Sequence, residues 1–182
     1  MTARHRKLPT IWLMTDERVD EVTLLRAVAR LPPGAGIVFR HYGLAAAERR
    51  ALFERVRRMA ARRRLTLLLA GDARMAAAWR ADGWHGHKQG RRQRKMLHSA
   101  PAHSVAEMRA AERAGADMLF ISPVFPTRSH PGQPVLGRTR FAALADMAHK
   151  PVIALGGMTE KRAAALRSAG IHGWAAIDAL IS

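Results

Sequence analysis

With 182 residues and no cysteine, the chain can carry neither a disulfide framework nor a thiol nucleophile, and zinc could be held only by histidine and carboxylates. It contains no apolar run of about 18 residues, which excludes a membrane-spanning helix, and its basic residues 1–9 lack the apolar stretch of a signal peptide. A count of 31 Lys+Arg against 14 Asp+Glu, a formal charge of +17, points to anionic partners.

The expectation is one cytoplasmic domain over residues 1–182, with 1–9 as a basic tail. Thr10–Thr15 reads as a buried first strand ending at Asp16, and Val22–Leu31 as a helix closed by Pro32, Pro33 and Gly34. Gly36–Tyr42 is the second strand and Leu44–Arg63 a long helix with an apolar stripe through Leu52, Val56 and Met59. Leu65–Ala70 is the third strand, and Asp72 is placed to cap a short helix. Gly83–His87 is a short fourth strand and Leu97–His103 a weak fifth, broken by Pro101. Ser104 and Glu107 match a capping box before a helix stopped by Gly115. Met118–Ser122 is the sixth strand, followed by a Pro-rich loop over Pro123–Gly137 and a helix over Phe141–His149. Val152–Leu155 is the seventh strand, Glu160–Ala169 a helix and Gly173–Ala179 the eighth strand, with no helix expected after it. Trp12, Trp84 and Trp174 lie within strands and are expected in the core.

Strand and helix alternate about eight times, which implies parallel strands with right-handed crossovers. Eight such units close a compact (β/α)8 TIM barrel; a doubly wound open sheet is the alternative. A missing last helix would leave the eighth strand's outer side bare, so a homo-oligomer is expected. In a barrel the site forms at the carboxyl ends of the strands. Those ends carry Asp16, Arg40, His41, Tyr42, Asp72, His85, His87, Lys88, His103, Ser122, Thr127 to His130, Gly156, Gly157, Ile177 and Asp178. The Gly156-Gly157 pair turns a strand into a helix opened by Thr159, leaving bare backbone N–H groups near a helix terminus, which suits a phosphate. Thr127 and Ser129 could cap their own loop, but beside Arg128 and His130 they are well placed for an anion. Arg40 could equally pair with an acidic neighbour. Asp72 reads as a cap rather than a catalytic acid. His85 and His87 could share a metal, yet no third ligand stands at a recognised spacing, so no metal site is assigned.

The basic clusters are Arg49, Arg50, Arg55, Arg57, Arg58, Arg62, Arg63 and Arg64 on one helix, and the run Arg91 to Lys95. Phe53 is the single aromatic residue within them, too few for a series of stacking platforms, so nucleic acid is not the expected partner; a phosphorylated small molecule is.

Certain motifs resemble the thiamine phosphate synthase and TenI family. They are Ala102 to Glu107 followed by Ala114 to Asp117, Ser122 to Thr127, and Val152 to Met158, with weaker matches at Ala81 to His85 and Phe39-Arg40. The resemblance runs from Trp12 to Ala179. It implies a barrel that joins hydroxymethylpyrimidine diphosphate to thiazole phosphate, releasing pyrophosphate with the help of magnesium. On the thiazole-phosphate side the matching positions are Thr127, Ser129 (where Thr is usual), Gly156, Gly157 and the backbone of Ile177; Asp178 departs from a small hydroxyl residue. On the diphosphate side the pattern of Gln, Arg and Lys becomes Val38, Arg40 and Tyr42. An Asn-Asp pair becomes Ala70-Gly71, and a Gly-Gln-Glu-Asp run becomes His87 to Gly90. Both magnesium carboxylates are therefore missing. An expected Ser is Pro101, an expected Lys is His130, and the tautomerase His falls at Pro123. His41, His87 and Lys88 are gained where the metal would sit.

Three readings remain. In the first, a synthase-like enzyme uses Arg40, Lys88 and His130 on the diphosphate, with fixed cations in place of magnesium. In the second, a non-synthase relative binds thiazole phosphate or a similar phosphorylated heterocycle. The third is a basic nucleic-acid-binding module.

Overall fold

The computed structural model describes residues 7–87, 96–128, 132 and 134–181. Eight parallel strands, β1 (Ile11–Met14), β2 (Gly36–Phe39), β3 (Thr66–Ala70), β4 (Gly83–His85), β5 (Leu97–Ala102), β6 (Met118–Ile121), β7 (Val152–Ala154) and β8 (Gly173–Ala176), close in sequence order. Ile11 to Leu13 of β1 pair with Trp174 to Ala176 of β8, so the sheet has no edge and the open-sheet alternative is excluded. Between the strands lie α1 (Glu21–Arg30), α2 (Ala46–Arg63), α3 (Ala73–Ala78), α4 (Val105–Arg113), α5 (Gly137–Met147) and α6 (Glu160–Ala164). No helix of the described residues is long and apolar enough to cross a membrane.

Each strand alternates between two cores. Inward residues Trp12, Met14, Val38, Leu68, Met118, Phe120, Ile153 and Ala175 fill the barrel. Outward residues of β1 to β4 pack under α1 and α2, and those of β5 to β8 under α4 and α5. Trp12 occupies the floor, edge-on to Phe120 at 5.5 Å, with its indole N–H donating to the Pro9 carbonyl at 2.9 Å. Trp84 faces outward and is buried, while Trp174 is only half-buried.

Local signals act as their chemistry demands, with corrections. Asp72 caps α3 by accepting from Met75 N–H at 2.8 Å. Ser104 caps α4, accepting from Glu107 N–H at 3.2 Å. The Glu107 carboxylate instead takes the His103 N–H and ring, at 2.9 and 2.8 Å, so only half of the capping box forms. Pro101 does not break β5. Ser99, two residues earlier, sends its carbonyl to Gly86 N–H, so the bond Pro101 cannot donate would point at β4, which stops at His85. The helix expected over Glu160–Ala169 is cut to α6 and a separate 3-10 turn at Arg167–Ala169. After β8 one helical turn, α7 (Asp178–Ile181), stands in place of a full outer helix. It packs beside α1, and Arg30 donates to the Ile181 carbonyl at 2.9 Å. Part of the face for which a second subunit was expected is thus covered within the chain.

The arginines of α2 are largely committed. Arg50 and Arg57 meet Glu54 at 2.6 and 2.7 Å, Arg55 pairs with Glu21, and Arg63 donates to the Leu31 carbonyl. A solvated, ion-paired helix face accounts for this cluster; the run Arg91 to Lys95 lies outside the described residues.

Candidate functional site

A cavity of about 500 Å³ opens at the carboxyl ends of β6, β7 and β8 and reaches across to Arg40 beyond β2. Thr127, Gly156, Gly157 and Ile177 all line it. Four of the five positions expected to hold a phosphate therefore share one wall; the fifth, Ser129, lies outside the described residues, as do Lys88 and His130. Of the positions expected on a diphosphate, Arg40 is the one the described residues bring to the cavity.

Backbone pairing brings the wall together. Val124 N–H donates to the Leu155 carbonyl at 2.9 Å and Phe125 N–H to Gly156 at 3.1 Å, zipping the loop after β6 onto the Gly-Gly turn. Gly156 and Gly157 adopt φ of 95° and 60°. A Cβ on Gly156 would stand 2.7 Å from Pro123 Cα, and one on Gly157 would stand 2.4 Å from the Pro126 carbonyl. Glycine is required at both by conformation and by close approach. Among the described residues neither glycine N–H has a backbone acceptor, a backbone arrangement that suits an anion. With α6 reduced to about one turn, its dipole adds little, and the positive potential comes from side chains. Arg162, which sequence reasoning missed, supplies it. From the first turn of α6 it donates to the Gly157 carbonyl and stacks over Phe125 at 4.7 Å.

Arg40 is paired and pocket-lining at once. Its Nε donates to the Thr15 carbonyl at 2.7 Å and its Nη2 to Asp16 at 2.9 Å, fixing the guanidinium against β1. Burial alone would raise the Asp16 pKa. Hydrogen bonds from Arg18 and the charges of Arg18 and Arg40 outweigh it and hold the carboxyl below its usual range. His41 is not a site cation. It is buried, stacked on Phe39 at 4.9 Å and bonded to Thr15 Oγ1 at 2.9 Å, and burial lowers its pKa. His87 is exposed beyond the end of β4.

The described residues do not suit magnesium. After β3 the positions that match an Asn-Asp pair are Ala70 and Gly71, neither a carboxylate; the Ala70 side chain is buried in the barrel and its carbonyl accepts from Arg49 at 2.8 Å. The same guanidinium takes the Arg40 carbonyl at 2.9 Å, so a cation already spans the ends of β2 and β3. No group of three His, Cys, Asp or Glu among the described residues could hold a metal.

His85 points into the barrel, edge-on to Phe120 at 5.0 Å, with Nδ1 bonded to Ser99 Oγ at 2.9 Å. Burial, with the Arg40 charge, pushes its pKa down to about 3. A folded pKa below the unfolded 6.5 means that the unfolded chain binds the extra proton. Stability is therefore complete above pH 6.5 and falls as pH drops toward 3, by about 1.4 kcal/mol per unit for one proton. Between pH 6.5 and 5 the carboxylates stay ionised, and the buried His85 and His41, both with lowered pKa, contribute a slope of this sign. Urea midpoints across that window are expected to fall with pH in the parent and to fall less steeply in His85→Gln. An unchanged slope would reject a buried neutral His85.

A closed barrel of eight parallel strands with a pocket at its carboxyl mouth places the chain among the (β/α)8 proteins. A family profile described as thiamine monophosphate synthase matches residues 11–180. The chain belongs to the thiamine monophosphate synthase family. It is 29% identical over 181 residues to the thiamine biosynthesis bifunctional protein ThiED of Geobacter sulfurreducens, covering 94% of this chain and 36% of that one. It is 28% identical to the putative thiamine-phosphate synthase 2 of Aquifex aeolicus, covering 94% and 97%. Against the thiamine-phosphate synthase of Geobacillus kaustophilus it is 32% identical over 152 residues, covering 76% and 67%. The fold resembles the thiamine phosphate pyrophosphorylase structure from Pyrococcus furiosus with TM-score 0.79 at 23% identity, covering 97% and 89%.

Proposed function

We propose that the pocket binds a phosphorylated heterocycle of the thiazole phosphate kind, its phosphate on the Gly156-Gly157 turn and Thr127. The observation that carries this reading is the convergence of Thr127, Gly156, Gly157 and Ile177 on one cavity, with Arg162 beside them. The ring would then lie toward Leu155 and Pro126, which supply apolar wall. In this reading the chain keeps the acceptor half of a two-substrate site and has lost the metal-dependent donor half, since Ala70 and Gly71 offer no carboxylate. A second reading, a working synthase with fixed cations in place of magnesium, is favoured by Arg40 on the opposite wall of the same cavity.

Thermal melting separates them. Thiazole phosphate at about a hundred times its Kd would add about 2.7 kcal/mol and raise Tm by roughly 5–10 °C, whereas hydroxymethylpyrimidine diphosphate would leave Tm unchanged. No shift with thiazole phosphate rejects the pocket assignment. Thiamine phosphate formed from both substrates, with or without magnesium, would establish the synthase reading instead.

A further inference from the structure

We infer that Asp178 is a built-in competitor for the pocket's phosphate, holding Arg128 across the mouth until an anionic ligand takes the carboxylate's place. The inference rests on the phosphate-pocket reading above and adds a determinant of what may enter.

Asp178 is the first residue of α7, directly after Ile177, and both line the cavity. Arg128 belongs to the loop after β6 and also lines it. The two meet in a forked pair, Nε to Oδ2 at 3.1 Å and Nη2 to Oδ1 at 3.0 Å. Because β6 and β8 are the two neighbours of β7, this pair spans from one side of the Gly156-Gly157 turn to the other. A carboxylate beside a phosphate pocket repels the ligand unless a cation neutralises it or it moves away. Here the cation that neutralises it is one the ligand also needs.

Exchange is physically easy. The side chains are 77% and 40% exposed, and ion pairs at such exposure contribute at most about 1 kcal/mol. A guanidinium presents the same fork to a phosphate as to a carboxylate, so Arg128 can change partners without leaving its loop. Arg162 stays fixed on Gly157 and Phe125 and gives the incoming anion a second cation that Asp178 does not occupy. A displaced carboxylate also has somewhere to go. The pKa of Arg18 is raised first by its hydrogen bond to Asp16 and in smaller part by the charge of Asp178, so Arg18 lies within electrostatic reach of that group. The device sets a threshold: a dianionic phosphate ester opens the pair, and an unphosphorylated alcohol or a weak monoanion does not.

Calorimetric titration with inorganic phosphate and with thiazole phosphate, at constant ionic strength, tests it on the parent, Asp178→Asn and Arg128→Gln. Asp178→Asn is expected to bind both ligands roughly three- to tenfold tighter, and Arg128→Gln to bind them more weakly. Asp178→Ser, with the small hydroxyl that resembles the family pattern, is expected to follow Asp178→Asn, and circular dichroism melts confirm that each variant is folded. Affinity that is unchanged or weaker in both Asp178 variants, with the parent binding phosphate, overturns the competitor role and leaves the pocket reading standing. No binding by the parent or any variant rejects the pocket reading itself, and the competitor role with it.

Discussion

Gly157→Ala is expected to weaken thiazole phosphate binding at least tenfold and to cost roughly 2–4 kcal/mol of stability. Its methyl would stand 2.4 Å from the Pro126 carbonyl and 2.9 Å from Phe125 Cβ, in a backbone region that disfavours side chains. The first of those atoms is main chain, so no rotamer change relieves the contact. The loop after β6 must retreat, and that loop carries Thr127 and Arg128. Retreat also strains the bond from Phe125 N–H to the Gly156 carbonyl, which holds the loop on the turn. Gly170→Ala is the control. Gly170 has φ of 68°, close to the 60° of Gly157, but nothing lies within 4 Å of the added methyl. It should lose only about 1 kcal/mol and bind the ligand as the parent does. Urea unfolding and calorimetry on both variants separate conformational strain from loss of the site. Parental affinity in Gly157→Ala would show that the turn is not the phosphate cradle.

How much of this was legible in the chain depended on the range of the interaction. Strand alternation and helix caps are local, and Asp72, Ser104 and Thr159 cap as their spacing implies. The turn at Gly156 was legible because only glycine tolerates its backbone. The place of His41 does not follow from strand alternation: β2 ends at Phe39, His41 has φ of 39°, and its ring folds back to stack on Phe39. Arg40 reads equally as an ion-pair partner or a site residue, and in the fold its fork reaches Asp16 while it also lines the cavity. Arg162 needed the geometry of α6, since a basic residue two positions after a helix's first turn begins has no distinguishing pattern in an Arg-rich chain. The Arg128–Asp178 pair was beyond reach. Its partners lie fifty positions apart, and only barrel closure makes the loops after β6 and β8 near neighbours. Long-range closure likewise decides whether one helical turn suffices after β8, where α7 docks on α1.

The floor of the barrel carries the other large effect. Gly36→Ala is expected to cost about 3 kcal/mol and lower Tm by roughly 6–12 °C. Trp12 and Gly36 are register partners on β1 and β2, and the indole lies in the space a side chain at 36 would take. An added Cβ would come within 2.2 Å of Trp12 Cε3. The indole cannot swing aside freely, since its N–H is bonded to Pro9 and its ring meets Phe120. Trp12→Leu alone should also destabilise, by about 2–4 kcal/mol, through the cavity it leaves. Because the two residues share one volume, the double variant should be at least 1 kcal/mol more stable than the sum of the single losses. Gly83→Ala provides the contrast, for its Cβ would meet the Leu97 carbonyl at 2.0 Å, a main-chain atom that no side-chain substitution removes. Strictly additive losses for Gly36→Ala and Trp12→Leu in urea unfolding would mean that the glycine serves the strand rather than the tryptophan. Coupling would establish that β2 begins with glycine because the barrel floor is filled from β1.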